Sequence, residues 1–248
     1  MKYLKRVLAL VTACSLLSIA VYAQNKKVAL VSFHANKKIG VQSVSATVAV
    51  NELTNDPNFN LKPIVDKAYN RFVNEFAKDF PFKLLDKSEV TSKEEYKKYV
   101  SKFLQDTTKG FNQAMGIQYA IVDGFVFAFP CAPCLGKESV RDECNLSKIF
   151  NTADGVMFVF LDYEIEPRMM GVAAGVTAHI TIALYDKKCD KVFRIREDGK
   201  SKGKVPAVLG VPAMKPEKIQ PLCEDATNEL FDDLASRLAK IIKKSSNL

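Results

Sequence analysis

The chain has 248 residues, 36 Lys+Arg against 28 Asp+Glu, a formal charge of +8, six Cys, two His and no Trp. That length suffices for a real hydrophobic core. The basic residues occur as scattered pairs such as Lys26-Lys27, Lys37-Lys38 and Lys97-Lys98. No dense basic stripe interleaved with aromatics is present, which argues against nucleic acid as the partner.

The chain opens with MKYLKR, which is basic and carries no acid, followed by the uncharged run VLALVTACSLLSIAV at 7–21 and by Val21-Tyr22-Ala23 before polar Gln24. Charged region, apolar region and small-residue cleavage site come in the order of a secretory signal, 1–23. The apolar run of 15 residues is short of the ~20 that a membrane-spanning helix needs. Val11-Thr12-Ala13-Cys14 fits the residues preceding a lipidated Cys, but the apolar run continues past Cys14, where a tether should be polar. Cleavage after Ala23 leaves one domain of 225 residues, 24–248, with 33 Lys+Arg and 28 Asp+Glu, or +5.

KKVALVSF, 26–33, reads as a buried strand, and 36–62 as a loop with a short strand at VSATVAV. Pro63 opens a helix, where its missing N–H costs nothing. Val65, Ala68, Tyr69, Phe72, Val73, Phe76 and Phe80 then form one apolar face ending before Pro81. FKLLDKSEV, 82–90, reads as a strand. Ser92 and Glu95 suggest a capping box for a helix carrying Tyr96, Tyr99, Val100, Phe103 and Leu104. FNQAMG, 111–116, reads as a helical turn and YAIVDGFVFAF, 119–129, as a strand; 130–154 reads as a polar loop bearing cysteines. Two long strands, 156–167 and 176–186, flank RMMGVAAG, and KVFRI pairs back after a turn. A Gly- and Pro-punctuated stretch leads to a last helix with a stripe of Leu222, Ala226, Leu230, Phe231, Leu234, Leu238, Ile241 and Ile242. The expected fold is a single α/β (α+β) domain. It has a mixed, mostly antiparallel sheet packed with helices and a long amphipathic C-terminal helix.

KKVALVSF with its following helix and FKLLDKSEV, AMGIQYAIVDGFVF with Gly116 and Gly124, and HITIALYDKKCDKVFRI before the closing helix together resemble one superfamily. It includes the curli-secretion-channel lipoprotein, the lipoprotein activators of penicillin-binding proteins and the amino-terminal domain of the Tol system's periplasmic protein. The resemblance spans most of 26–243 and implies a bacterial periplasm or cell envelope and a role in binding partners or building assemblies. The chain departs from the pattern in lacking a convincing lipobox and in its Cys-bearing loop at 131–144.

Cys131-Ala132-Pro133-Cys134 is the sharpest local motif. A C-x-x-C at a helix N-terminus lowers a thiol pKa for redox work. Here Gly136 follows closely and no Trp precedes, so a structural disulfide among Cys131, Cys134 and Cys144 is the leading reading. Loss of 1–23 leaves five Cys, one of which must be free or intermolecular; Cys189 and Cys223 are a further possible pair. His34 and His179 have no second His or Cys at ligand spacing. Asp162, Glu164 and Glu166 alternate, so they share one strand face, read as solvated. No catalytic, metal or cofactor site is expected. The expected function is that of an exported, non-enzymatic binding or assembly module with an envelope protein as partner and peripheral membrane or cell-wall contact open. The alternatives are a thiol–disulfide protein using the CAPC motif, or a subunit of an oligomeric outer-membrane pore.

Overall fold

The structure is a computed structural model and describes residues 26–41, 46–101, 118–130, 141–245 and 248. The signal segment, Phe103, Leu104, FNQAMG, Cys131 and Cys134 lie outside the described residues.

β1 (Lys27–Asn36) is buried along almost its whole length because both neighbours and both faces are occupied. It pairs parallel with β2 (Lys83–Leu84) and β4 (Gly155–Arg168) and antiparallel with β3 (Tyr119–Ile121). β4 continues antiparallel into β5 (Ala173–Asp186), and β5 into β6 (Lys191–Lys200). At its first residues β5 also pairs with β7 (Val205–Val208), which turns back as β8 (Val211–Pro212). The sheet is thus mixed, with helices packed against it.

α2 (Lys62–Arg71) carries Pro at its start and runs on through a π turn, Phe72–Phe76, and a 3-10 turn, Ala77–Asp79. Its periodic face is the one buried: Val65, Phe72 and Phe76 are at most 3% exposed, and the Phe72 ring meets Phe33 of β1 at 5.8 Å. α6 (Pro216–Ser245) lays Ala226, Leu230, Phe231 and Leu234 against the same sheet face. It can sit so close because of Gly199 on β6. A Cβ there would lie 2.2 Å from the Leu230 backbone nitrogen, closer than any side chain tolerates.

Several local readings give way to tertiary context. The strand expected at VSATVAV is helix from Ala46 on: Ala46–Asn55 is α1, which turns Val50, Leu53 and Thr54 into the core at helical spacing. FKLLDKSEV is strand only at Lys83–Leu84, and Lys87–Thr91 is a short helix, α3, entered from extended Asp86. The capping box is not formed. Lys93 precedes α4 (Glu94–Lys97) and no side chain caps it. The loop expected over 130–154 contains α5 (Asp142–Ile149).

The largest departure is 119–129, of which only Tyr119–Ile121 is strand. Gly124, at φ +80°, breaks the ladder. Beyond it the backbone is held by side chains. Val126 N–H donates to Tyr96 Oη at 3.0 Å, Ala128 N–H to Ser32 Oγ at 3.3 Å and Phe129 N–H to Asp142 Oδ2 at 3.0 Å.

Candidate functional site

The helix-covered face of the sheet is mostly apolar, its polar members being buried Glu197 on β6 and the Tyr163 hydroxyl, hydrogen-bonded to Thr227 of α6. The other face changes character along its length. At the Gly155 end it is aromatic: Phe158 meets Tyr185, and Phe160 stacks on His34 with ring centroids 5.8 Å apart. His34 is 2% exposed, enclosed by Tyr119, Phe127 and Phe160, with Nδ1 3.0 Å from Ser32 Oγ. Burial holds its imidazole down at about 3, so it is a neutral core residue. Tyr96 Oη donates to Val31 O at 2.6 Å, and burial raises its pKa.

Farther along, the same face turns polar. Asp162, Glu164 and Glu166 share it, as their alternation requires, but they are half-buried and partnered. His179 faces Asp162 across the β4–β5 ladder and Asp198 across β5–β6. Its Nδ1 is hydrogen-bonded to Asp198, and its Nε2 lies 3.6 Å from Glu164 Oε2. Lys200 Nζ bridges both Glu166 oxygens at 2.8 and 3.1 Å. Burial raises the Asp162 carboxyl above its ordinary range, against the opposing pull of Arg196 and His179. A His held between two carboxylates could move a proton, but catalysis also needs a nucleophile or a bound reacting group within reach. The surrounding side chains are threonines and paired ions. Among the described residues no group of three or more His, Cys, Asp or Glu is placed to hold a metal ion.

Three of the cysteines lie among the described residues. Cys144, Cys189 and Cys223 carry buried free thiols, and Cys189 and Cys223 are not a pair; Cys131 and Cys134 lie outside the described residues. Cys144, on α5, lies near Cys189, in the β5–β6 turn. Arg141 holds the two elements together through a 3.2 Å bond from Nη2 to Cys189 O. Burial and the neighbouring thiol push Cys144 up to about 12, and burial raises Cys223. Neither is an activated nucleophile. At the start of α5 two buried acids are similarly engaged. Asp142 accepts hydrogen bonds from Tyr99, Ser101 and Phe129, and Glu143 pairs with Arg141 at 2.9 Å.

What the sequence reading missed lies at the far end of the β4–β5 hairpin. Met169, Met170 and Gly171 form its turn, and the β7–β8 turn, with Val208, Leu209 and Gly210, is docked beside it. Gly210 N–H donates to Gly171 O at 2.8 Å and Ala207 N–H to Val172 O at 3.0 Å. The two tips therefore form one unit. Gly210 is required there: it has φ +79°, and a Cβ would lie 2.8 Å from Pro167. The unit presents apolar side chains to solvent: Met170 is 97% exposed, Leu209 92% and Val208 78%, with Met169 and Val172 beside them. Met169, Met170 and Leu209 also have φ of +50°, +56° and +51°, a left-handed conformation that costs a residue with a side chain about 1–2 kcal/mol. Strain and apolar exposure at one spot are the marks of a contact surface. The available signal was compositional: RMMGVAAG and AVLGVPAM put methionines, valines and a leucine where turns are normally polar.

Among the described residues no helix is long and apolar enough to cross a membrane. No family model matches the sequence, and no curated protein matches it. The solved structures similar to this chain include three at low identity. A hypothetical protein from Chlamydia trachomatis has 8% identity and a TM-score of 0.39 over 90% of this chain and 98% of its own. A neuraminyllactose-binding hemagglutinin homolog from Helicobacter pylori has 10% identity and a TM-score of 0.35 over 90% and 87%. A lipoprotein from Neisseria meningitidis has 7% identity and a TM-score of 0.28 over 71% and 83%. These likenesses are too slight to carry a function, and the superfamily resemblance rests on the motifs quoted above.

Proposed function

We propose that the chain is an exported, non-enzymatic envelope protein that works as a binding or assembly module, and that the paired tips of the β4–β5 and β7–β8 hairpins are its contact surface. The observation that carries this reading is the joining of solvent-exposed Met170 and Leu209, both in left-handed backbone, on two turns hydrogen-bonded to each other. A folded domain has no internal reason to retain that combination. The pore alternative fits less well. The outer half of β4 and β5 sets Asp162, Glu164, Glu166 and His179 on the face that a barrel would offer to lipid or lumen, and its other face is covered by α6. The redox alternative depends on Cys131 and Cys134, which lie outside the described residues.

A photoreactive side chain at position 170 tests the reading in cells. Adducts are expected from position 170 and not from position 188, in the turn at the opposite end of the hairpin. Equal labelling of both positions, or of neither, would remove the tips as a contact surface. Export has its own test. Mass spectrometry of the exported protein is expected to give a mature N-terminus at Gln24, whereas a diacylated Cys14 would replace the cleaved signal with a lipoprotein one. In an oxidising compartment the disulfide expected from the sequence joins two of Cys131, Cys134 and Cys144. One S–S bond would form and two S–H bonds break, with the electrons and protons passing to an oxidised thiol–disulfide partner. Non-reducing peptide mapping is expected to find a bridge among those three; an exported protein with all of them free would contradict it.

A further inference from the structure

We propose that the occupant of the paired tips is the surface of a bilayer rich in anionic lipid. This rests on the reading of the tips as a contact surface and names the partner. The tips end in flexible, unbranched or short apolar side chains, Met169, Met170, Val208 and Leu209, with no aromatic or Arg among them. Protein-binding surfaces concentrate their energy in Trp, Tyr and Arg set in pockets. Here two convex turns project side chains that can enter acyl chains without needing a complementary shape.

The backbone suits such an environment. The Gly210 and Ala207 N–H groups are bonded across the tips, so they cost little on leaving water. The charge around the tips points the same way. Residues 167–176 and 201–215 hold Arg168, Lys202, Lys204 and Lys215 and no Asp or Glu. Lys202 is paired with Glu229 on α6, and Arg168 is bonded to Ser201 O at 2.6 Å. Lys204 reaches the Met169 sulfur at 3.2 Å, laying its stem along the apolar tip with its charge at the rim. That is the arrangement in which an ammonium meets headgroup phosphates while its stem stays in apolar surroundings. A second copy of the chain would bring the same cations against themselves, so self-association through the tips is disfavoured.

The test is sedimentation of the exported protein with vesicles of phosphatidylcholine, alone or mixed with phosphatidylglycerol. Binding is expected to the mixed vesicles, to weaken with added salt and to be much lower on phosphatidylcholine alone. The double variant Met170→Ser/Leu209→Ser should lose about tenfold or more in partitioning, and Lys204→Gln roughly fivefold. All are exposed sites, so unchanged circular dichroism and melting show that folding is intact. Wild-type protein that ignores the anionic vesicles, or a double variant that binds them equally well, overturns the proposal. Protein adducts from a photoreactive residue at 170 without vesicle binding would also overturn it while leaving the contact surface standing. Absence of both adducts and vesicle binding sinks both readings.

Discussion

The β4–β5 ladder runs unbroken from Gly155–Asp186 to Arg168–Ala173, yet its two halves obey different constraints. In the inner half, from Gly155 to Leu161, both faces are buried, and the polar group nearest the middle, His34, is held neutral among aromatic rings. In the outer half one face still packs under α6, while the other carries His179 between Glu164 and Asp198 and ends in exposed methionines. The inner half spends its residues on cohesion. The outer half keeps ion pairs, strain and apolar exposure that contribute little to cohesion, and such features are expected where a protein meets something else.

This contrast can be broken at several points. The largest expected effect is acid lability centred on His34. Its folded pKa is depressed from 6.5 to about 3, so between those values the unfolded chain binds a proton that the folded chain refuses. Stability should therefore be full above about pH 6.5 and fall as pH drops toward 3, by on the order of 5 kcal/mol from this group. His34→Phe retains the ring contacts and should flatten that acid limb in urea titrations at stepped pH; an unchanged limb would mean that His34 is hydrated. Next, Phe72→Ala should cost about 3–5 kcal/mol, whereas Lys78→Ala on the exposed side of the same helix should cost little. Equal urea midpoints would put the helix face the wrong way round.

Gly199→Ala should cost about 1–3 kcal/mol by pushing α6 off β6, read as a lower melting temperature. In the outer half, Asp198→Asn should cost only about 0.5–1 kcal/mol, because that carboxylate is half exposed. The smallest effect is expected at the tip. Met170→Ser should change stability by less than about 0.5 kcal/mol while reducing contact with the partner. If Met170→Ser destabilises as much as Asp198→Asn, the tip belongs to the fold, and the contrast between the halves is lost.

How much of this was legible in the sequence follows from how local each signal is. The Val65–Phe76 face, the α6 stripe and the long hairpin are patterns within one element, and the structure keeps them. The run 119–129 looked like a strand because its residues are apolar and β-prone, but its hydrogen-bond partners are Tyr96, Ser32 and Asp142, which no local pattern announces. In the same way Asp198 reaches His179 from another strand, and Cys144 on α5 comes to lie near Cys189 of the β5–β6 turn. The tips were visible as apolar residues in turns, but their meaning depends on the docking of one turn on the other.

The hydroxyl of Tyr96 accepts from Val126 N–H while it donates to Val31, and this has a consequence for the order of folding. The amides of Val126, Ala128 and Phe129 each wait on a side chain from a different part of the chain, α4, β1 and α5 in turn, so the segment as a whole is protected only when all three have docked on it. That segment should be the last to acquire hydrogen-exchange protection during refolding and among the first to lose it in local opening. Pulse-labelled exchange should therefore show the amides of β4 and β5 protected before those three, and Tyr96→Phe should speed exchange at Val126 more than at Phe129.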